Sequence, residues 1–387
     1  MLQLMRCEFY KFWHNQKNWL ILFLVFAYLV GLLFMNQTRQ KEFKQSRDSL
    51  IGADLQEAMA MVIAYDKNYR TQKTAEAKEL LEFWKQRQSI VQEISANYRF
   101  YSEENASKLL KLEIELAENE LHGYQRGYFY NGIGISAVRE QELNRIILTN
   151  QYFIDHAIIP QETPYQLSGA QFLYLLISDI VPLGFLVFIF LFSMDVYSSE
   201  MEYGSYKFLY TQQYTRKRIL STKFIVSFLS TIMAIVTAIA VAWFLISCMY
   251  GTGDYNYPVA IMEAHGNYAM VELQIIIIHG YILLCLILLF MQSMVLGIAV
   301  YCESTPTTFS LVTLILLITY CIDKFQVPSI LKKAWLLANY SVASKIVYQG
   351  IRQTTFTALI LVVASVLFVF ITQYKVAGQD FTGGRES

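Results

Sequence analysis

Six long apolar blocks, at residues 19–35, 172–194, 224–250, 275–301, 305–322 and 355–374, constrain this chain more than any other feature. A helix that crosses a bilayer needs roughly 20 apolar residues, with about 17 as the lower limit. All six blocks meet or approach that length. The block at 305–322 has the shortest strictly apolar run and is rich in Thr, which tilt or burial against other helices can accommodate. Only 16% of the residues are charged, whereas a soluble chain carries about 25%. The blocks therefore predict an all-α membrane protein with six transmembrane helices and a large helical extracellular domain between the first and second.

Lys and Arg in the short flanking segments set the orientation. Arg6, Lys11 and Lys17 precede the first block. Lys207, Arg216, Lys217, Arg218 and Lys223 lie between the second and third. Residues 251–272 contain neither Lys nor Arg. These charges place both termini and residues 195–223 in the cytoplasm, and residues 37–171 outside. One segment runs against the rule. Residues 323–354 should face outward, yet they hold Lys324, Lys332, Lys333, Lys345 and Arg352. The apolar, partly amphipathic sequence around Trp335 predicts an interfacial or re-entrant helix pair there.

The predicted organisation runs as follows. Residues 1–18 form an amphipathic interfacial helix, with Leu2, Met5, Phe9, Phe12 and Trp13 on one side. Residues 19–36 form the first span and 37–171 the helical outer domain. Residues 172–374 hold five spans, and 375–387 form a cytoplasmic tail. Within the outer domain, Leu80, Trp84, Val91, Ile94 and Tyr98 make one apolar helical stripe, and Leu109, Leu112 and Leu116 another. Residues 102–107 read as a turn with a helix N-cap.

Much chemistry is excluded by what the sequence lacks. There is no GxxxxGK[ST], so the chain does not bind ATP by that route; HExxH and GxSxG are also missing. None of the five cysteines falls in residues 37–171, and no cysteine spacing suits a metal. No catalytic, cofactor-binding or metal-ligating set emerges. The formal net charge is zero, which gives no sign of nucleic-acid binding.

The informative stretch begins at Glu200 and runs to Lys223. Glu200, Gly204, Ser205 (in place of Thr), Phe208, Leu209, Arg216 and Lys223 fall at the spacing E-x-x-x-G-T, two apolar residues, Pro-x-x-Arg, then a Lys that opens the next span. In this the chain resembles the permease subunits of ABC transporters, specifically the type-two export-permease family. Gln213 stands where that family commonly has Pro. The order of an amphipathic helix, one span, a large outer insertion and five further spans is also similar. The resemblance implies an exporter subunit without its own nucleotide site. It would assemble with a cytoplasmic ABC ATPase dimer, which carries the ATP and Mg, and with a second permease copy or homologous permease, amid membrane lipid. Glu200, Gly204, Ser205, Phe208, Leu209 and Arg216 would then form the ATPase-coupling segment.

Physical chemistry gives this segment a second reading. A basic loop beside a membrane can do no more than set topology. Against that, Phe208 and Leu209 offer an apolar anchor of the kind that carries interface energy, and Gly204 permits a tight turn. Asp179 also has two readings: a cavity or gate carboxylate in the second span, or an Asp near the interface that bonds a neighbouring helix. Glu272 and His279 read as an interfacial pair. The function that follows is an ATP-driven exporter in a bacterial plasma membrane, moving an amphipathic or hydrophobic substrate such as a peptide, an antibiotic or a lipid. The rival is a membrane sensor or scaffold with a ligand-binding extracellular domain, and an intramembrane enzyme stands behind both.

Overall fold

The computed structural model describes residues 2–129, 136–204, 214–262, 268–325 and 335–378. These residues are mostly helical and divide into two compact units. One comprises Met1–Leu32, Leu167–Tyr257 and Val271–Ser387; the other comprises Leu33–Gln166 and Pro258–Met270.

The first unit opens with α1 (Leu2–His14). Leu4, Glu8 and Phe12 are buried, one turn apart, while Leu2 and Phe9 stay exposed. The turn into α2 (Gln16–Gln72) is made by asparagines. Asn15 Oδ1 accepts from the Lys17 amide at 3.0 Å, an N-cap contact, and Asn18 Nδ2 donates to the Phe12 carbonyl at 2.7 Å. α2 continues without interruption past residue 36, where the composition turns polar. Gln, Arg, Lys and Glu are as good helix formers as Leu, so the change of composition does not end the helix.

The predicted second span is broken. It consists of α6 (Gly169–Leu176) and α7 (Val181–Ser193), with Pro182 in the first turn of α7. Asp179 lies in the break with φ +49°. The carbonyl of Ile177, freed by the break, accepts the backbone N–H of Ala343 at 2.9 Å. Such an exchange is what a discontinuous helix needs where water is scarce.

A five-residue helix, α8 (Ser198–Glu202), follows, and then α9 (Arg216–Tyr250). The remaining helices are α10 (Leu273–Cys302), α11 (Thr305–Lys324) and α12 (Val342–Gly378), the last kinked where Gly350 takes φ +76°. α10 is central, packing against α6, α7, α9, α11 and α12, and its Leu284, Ile287, Met291 and Val295 are buried. In the 323–354 segment, Leu336–Asn339 form one 3₁₀ turn. Trp335 Nε1 donates to Thr319 Oγ1 and the Tyr340 hydroxyl to Asp323 Oδ2, both at 2.8 Å. Residues 326–334 of that segment lie outside the described residues.

Among the described residues, six helical segments are long and apolar enough to cross a membrane. They are α2, the Val181–Glu202 stretch that joins α7 to α8, and α9 to α12.

The second unit is built on α2, α3 (Ala75–Arg99), α4 (Glu103–Gln125) and α5 (Ala137–Asp155). Ser102 is the N-cap of α4. Phe83, Trp84 and Phe129 form one buried cluster; Ile90, Ile94, Leu109 and Leu112 form another. Glu113 on α4 accepts from Tyr98 on α3 and, at 2.7 Å, from Asn150 on α5. The expectation of purely helical structure needs one amendment. β1 (Pro258–Met262) and β2 (Tyr268–Glu272) pair as a small sheet, and β1 packs on α5. Each strand has five residues, too short for an apolar alternation to stand out in the sequence.

Candidate functional site

The segment singled out by the sequence is anchored by buried charge. Lys223 lies in the second turn of α9 and is 2% exposed. Its ammonium donates to Glu200 Oε1 at 2.6 Å, to Glu8 Oε2 at 3.2 Å and to the Val196 carbonyl at 3.4 Å. An ammonium has three donors, so all are used. Lys11 completes the set, reaching Glu8 at 3.0 Å and Glu200 at 3.3 Å. Taking an ammonium out of water costs several kcal/mol even after relaxation, and pairing with good geometry is what offsets that cost.

The electrostatics of the cluster follow from this geometry. Burial pushes the Glu8 carboxyl up, but the ammonium groups of Lys223 and Lys11 more than offset it and hold it below the usual value of 4.5. Burial pushes the Lys11 ammonium down, and Glu8 with Glu200 more than reverses that, so it lies above 10.5.

α8 is therefore braced from two sides. Glu200, in its first turn, ties it to α1 and α9. Glu202, its last residue, turns to α11: one carboxylate oxygen accepts from the Thr305 amide at 2.7 Å, the other from the Thr305 hydroxyl at 3.0 Å. The Thr305 amide is an orphan donor of a helix N-terminus, where a carboxylate is also favoured by the helix dipole. Ser198 adds a 3.0 Å contact to Thr305. Beyond Glu202 the chain turns at Gly204, whose φ is +68°; nothing lies within 4 Å of where its Cβ would be. Glycine is placed there by backbone conformation and not by crowding. Tyr203 just before it is 84% exposed.

Further polar groups tie the same end together. Lys17 pairs with Asp195 and donates to the Leu191 carbonyl at 3.0 Å. Gln292, buried within α10, accepts from Ser193 and donates to Ser227 at 3.1 Å, joining α7, α9 and α10. A cavity of about 170 Å³ lies among these groups, with Glu8, Lys11, Asn18, Asp195 and Glu200 on its polar walls. Phe12 and Phe192, stacked at 5.6 Å, belong to its apolar side.

Of the sequence-predicted coupling residues, Glu200 is in the ion cluster, Gly204 ends α8 and Arg216 opens α9. Ser205, Phe208 and Leu209 lie outside the described residues. Asp179 is exposed in the break between α6 and α7 and does not line the cavity. Glu8 was missed: on an amphipathic helix an acid reads as part of the solvated face. The available signal was Lys223, a cation set into an apolar run and in need of a partner. No group of His, Cys, Asp or Glu side chains among the described residues could hold a metal. The arrangement is mechanical: it fixes a short helix and its exposed end against three longer helices, α1, α9 and α11.

Several apolar helices and a buried ionic brace at one end describe a multi-pass membrane protein. The family model for ABC-2 family transporter proteins matches residues 2–374, and the chain belongs to that family. It is thus a permease, a membrane transport subunit and not a catalytic one, of the kind that associates with an ABC ATPase. No curated protein and no solved structure matches the chain.

Proposed function

We propose that this permease exports an amphipathic or hydrophobic substrate, such as a peptide, an antibiotic or a lipid, across a bacterial plasma membrane. Two permeases work with two ATPase subunits, and the α8 end of the spans faces the cytoplasm. The observation that carries the reading is the double brace on α8. Glu200 holds it to α1 and α9, and Glu202 holds it to α11, so a push on the segment after Tyr203 reaches three helices at once. That segment holds Ser205, Phe208 and Leu209, which suit a groove on the ATPase. Arg6, Lys17 and Arg216–Arg218 at this end support the cytoplasmic assignment. Asp179, with its exposed carboxylate in a helix break, is suited to act as a gate at the other end of α7.

The test is co-purification of the cognate ATPase with the wild-type permease and with the F208D/L209D variant. The variant should insert and fold, lose the ATPase and lose transport. Equal ATPase recovery and equal transport would reject this segment as the coupling element and bring the sensor reading forward.

A further inference from the structure

A second concavity lies on the outer surface of the apolar helices. α9, α10 and α12 leave a groove of about 340 Å³ between them. Phe224, Ile225, Leu289, Val366, Val369 and Phe370 line it, and Val366 and Phe370 are 62% and 65% exposed. Its polar end is defined by Ser221 and Gln373, whose amide donates to the Ser221 hydroxyl at 3.0 Å. This contact puts the start of α9 beside the end of α12.

Basic side chains gather at that end. Lys217 lies one turn before Ser221, and its carbonyl accepts from the Ser221 hydroxyl at 2.8 Å. Arg218 is next to it, and both are exposed. Lys375, two residues beyond Gln373, stands 4.0 Å from the ring centre of Tyr301. The positive end of the α9 dipole adds to these charges. Among the described residues, Glu303, two positions after Tyr301, is an acid close to them in sequence.

We propose that this groove is a binding site for an anionic phospholipid. One acyl chain fills the apolar channel, and the phosphate headgroup rests at the Ser221–Gln373 end, against Lys217 and Arg218. An apolar groove on a spanning surface meets lipid by default; the basic rim is what selects the sign of the headgroup. The lipid is a resident of the surrounding membrane, because the groove opens sideways through Val366 and Phe370.

The experiment is native mass spectrometry of the full chain in detergent, titrated with phosphatidylglycerol or phosphatidylcholine. The first bound phosphatidylglycerol should be held more tightly than the first phosphatidylcholine. The K217Q/R218Q variant should lose that preference, by roughly fivefold for each basic residue removed, and still bind phosphatidylcholine. V366W, which fills the channel from a lipid-facing position, should weaken both. Equal affinity for the two lipids overturns the proposal, as does a retained preference in K217Q/R218Q or unchanged binding in V366W. Disulfide cross-linking between two V366C chains in membranes overturns it in another way, by placing a second copy in the groove.

Discussion

Lys223 and Glu8 are 215 positions apart in the chain, yet their side chains meet at 3.2 Å inside a buried cluster. The contact makes α1 part of the same ionic assembly as α8 and the start of α9.

The first prediction separates bracing from docking. Glu200→Gln and Lys223→Met each leave a buried charge short of a partner, which costs about 3–5 kcal/mol. Each should lower the thermal midpoint of the purified permease. The double variant E200M/K223M should recover part of the loss, because apolar replacement of a whole pair is often neutral. F208D/L209D should leave the midpoint unchanged. Single variants as stable as wild type would show that the cluster does not hold α8.

A second prediction concerns acid. The folded Glu8 carboxyl titrates below its ordinary value of 4.5. Its contribution to stability is therefore present above pH 4.5 and is lost as pH falls through the lower folded value. Lys11 works in the opposite sense: its contribution is present below pH 10.5 and fades as pH rises through a higher folded value. The midpoint should fall as pH drops below 4.5, and Glu8→Gln should flatten that limb. An acid limb of equal steepness in the variant would assign it to other carboxylates.

Gly204 supplies a third. Its positive φ costs any other L-residue roughly 1–2 kcal/mol, and open space around it means no steric term is added. Gly204→Ala should destabilise by about that amount, and Gly204→Asn by less, since Asn visits this region more readily. Equal losses in thermal unfolding for Ala and Asn would mean that the conformation is not the constraint.

The fourth fixes the sides of the membrane. In a variant stripped of the five native cysteines, a cysteine at exposed Ser107 should react with an impermeant thiol reagent on intact cells. One at Ser205 should not. The reverse pattern rejects the proposed orientation.

What could be read from the sequence follows a physical line. Apolar blocks mark where helices can cross a membrane, because that depends on composition over roughly 20 residues; five of the blocks fall in long helices, and the second, at 172–194, overlaps the Val181–Glu202 stretch only in part. The break at Asp179 escaped, because averaging over a block hides a short irregular turn, although Pro182 three residues later is its trace. The continuity of α2 past Asn36 escaped because a change of composition was taken for a change of structure. At the site, Glu200, Gly204 and Lys223 were visible as spacing. Their roles were not, because helical periodicity tells which residues share a face and not which distant face they meet. Glu8 and Thr305 are partners that only the folded chain supplies.

The Glu8–Lys11–Glu200–Lys223 cluster has a consequence for how the protein responds to the membrane's voltage. Moving one elementary charge through a potential takes about 2.3 kcal/mol per 100 mV. Two carboxylates and two ammonium groups sum to nothing, and the neighbouring Lys17–Asp195 pair does the same. If these groups travel as a body, no electrical work is done on them. The brace itself then adds no voltage dependence to any movement that it makes.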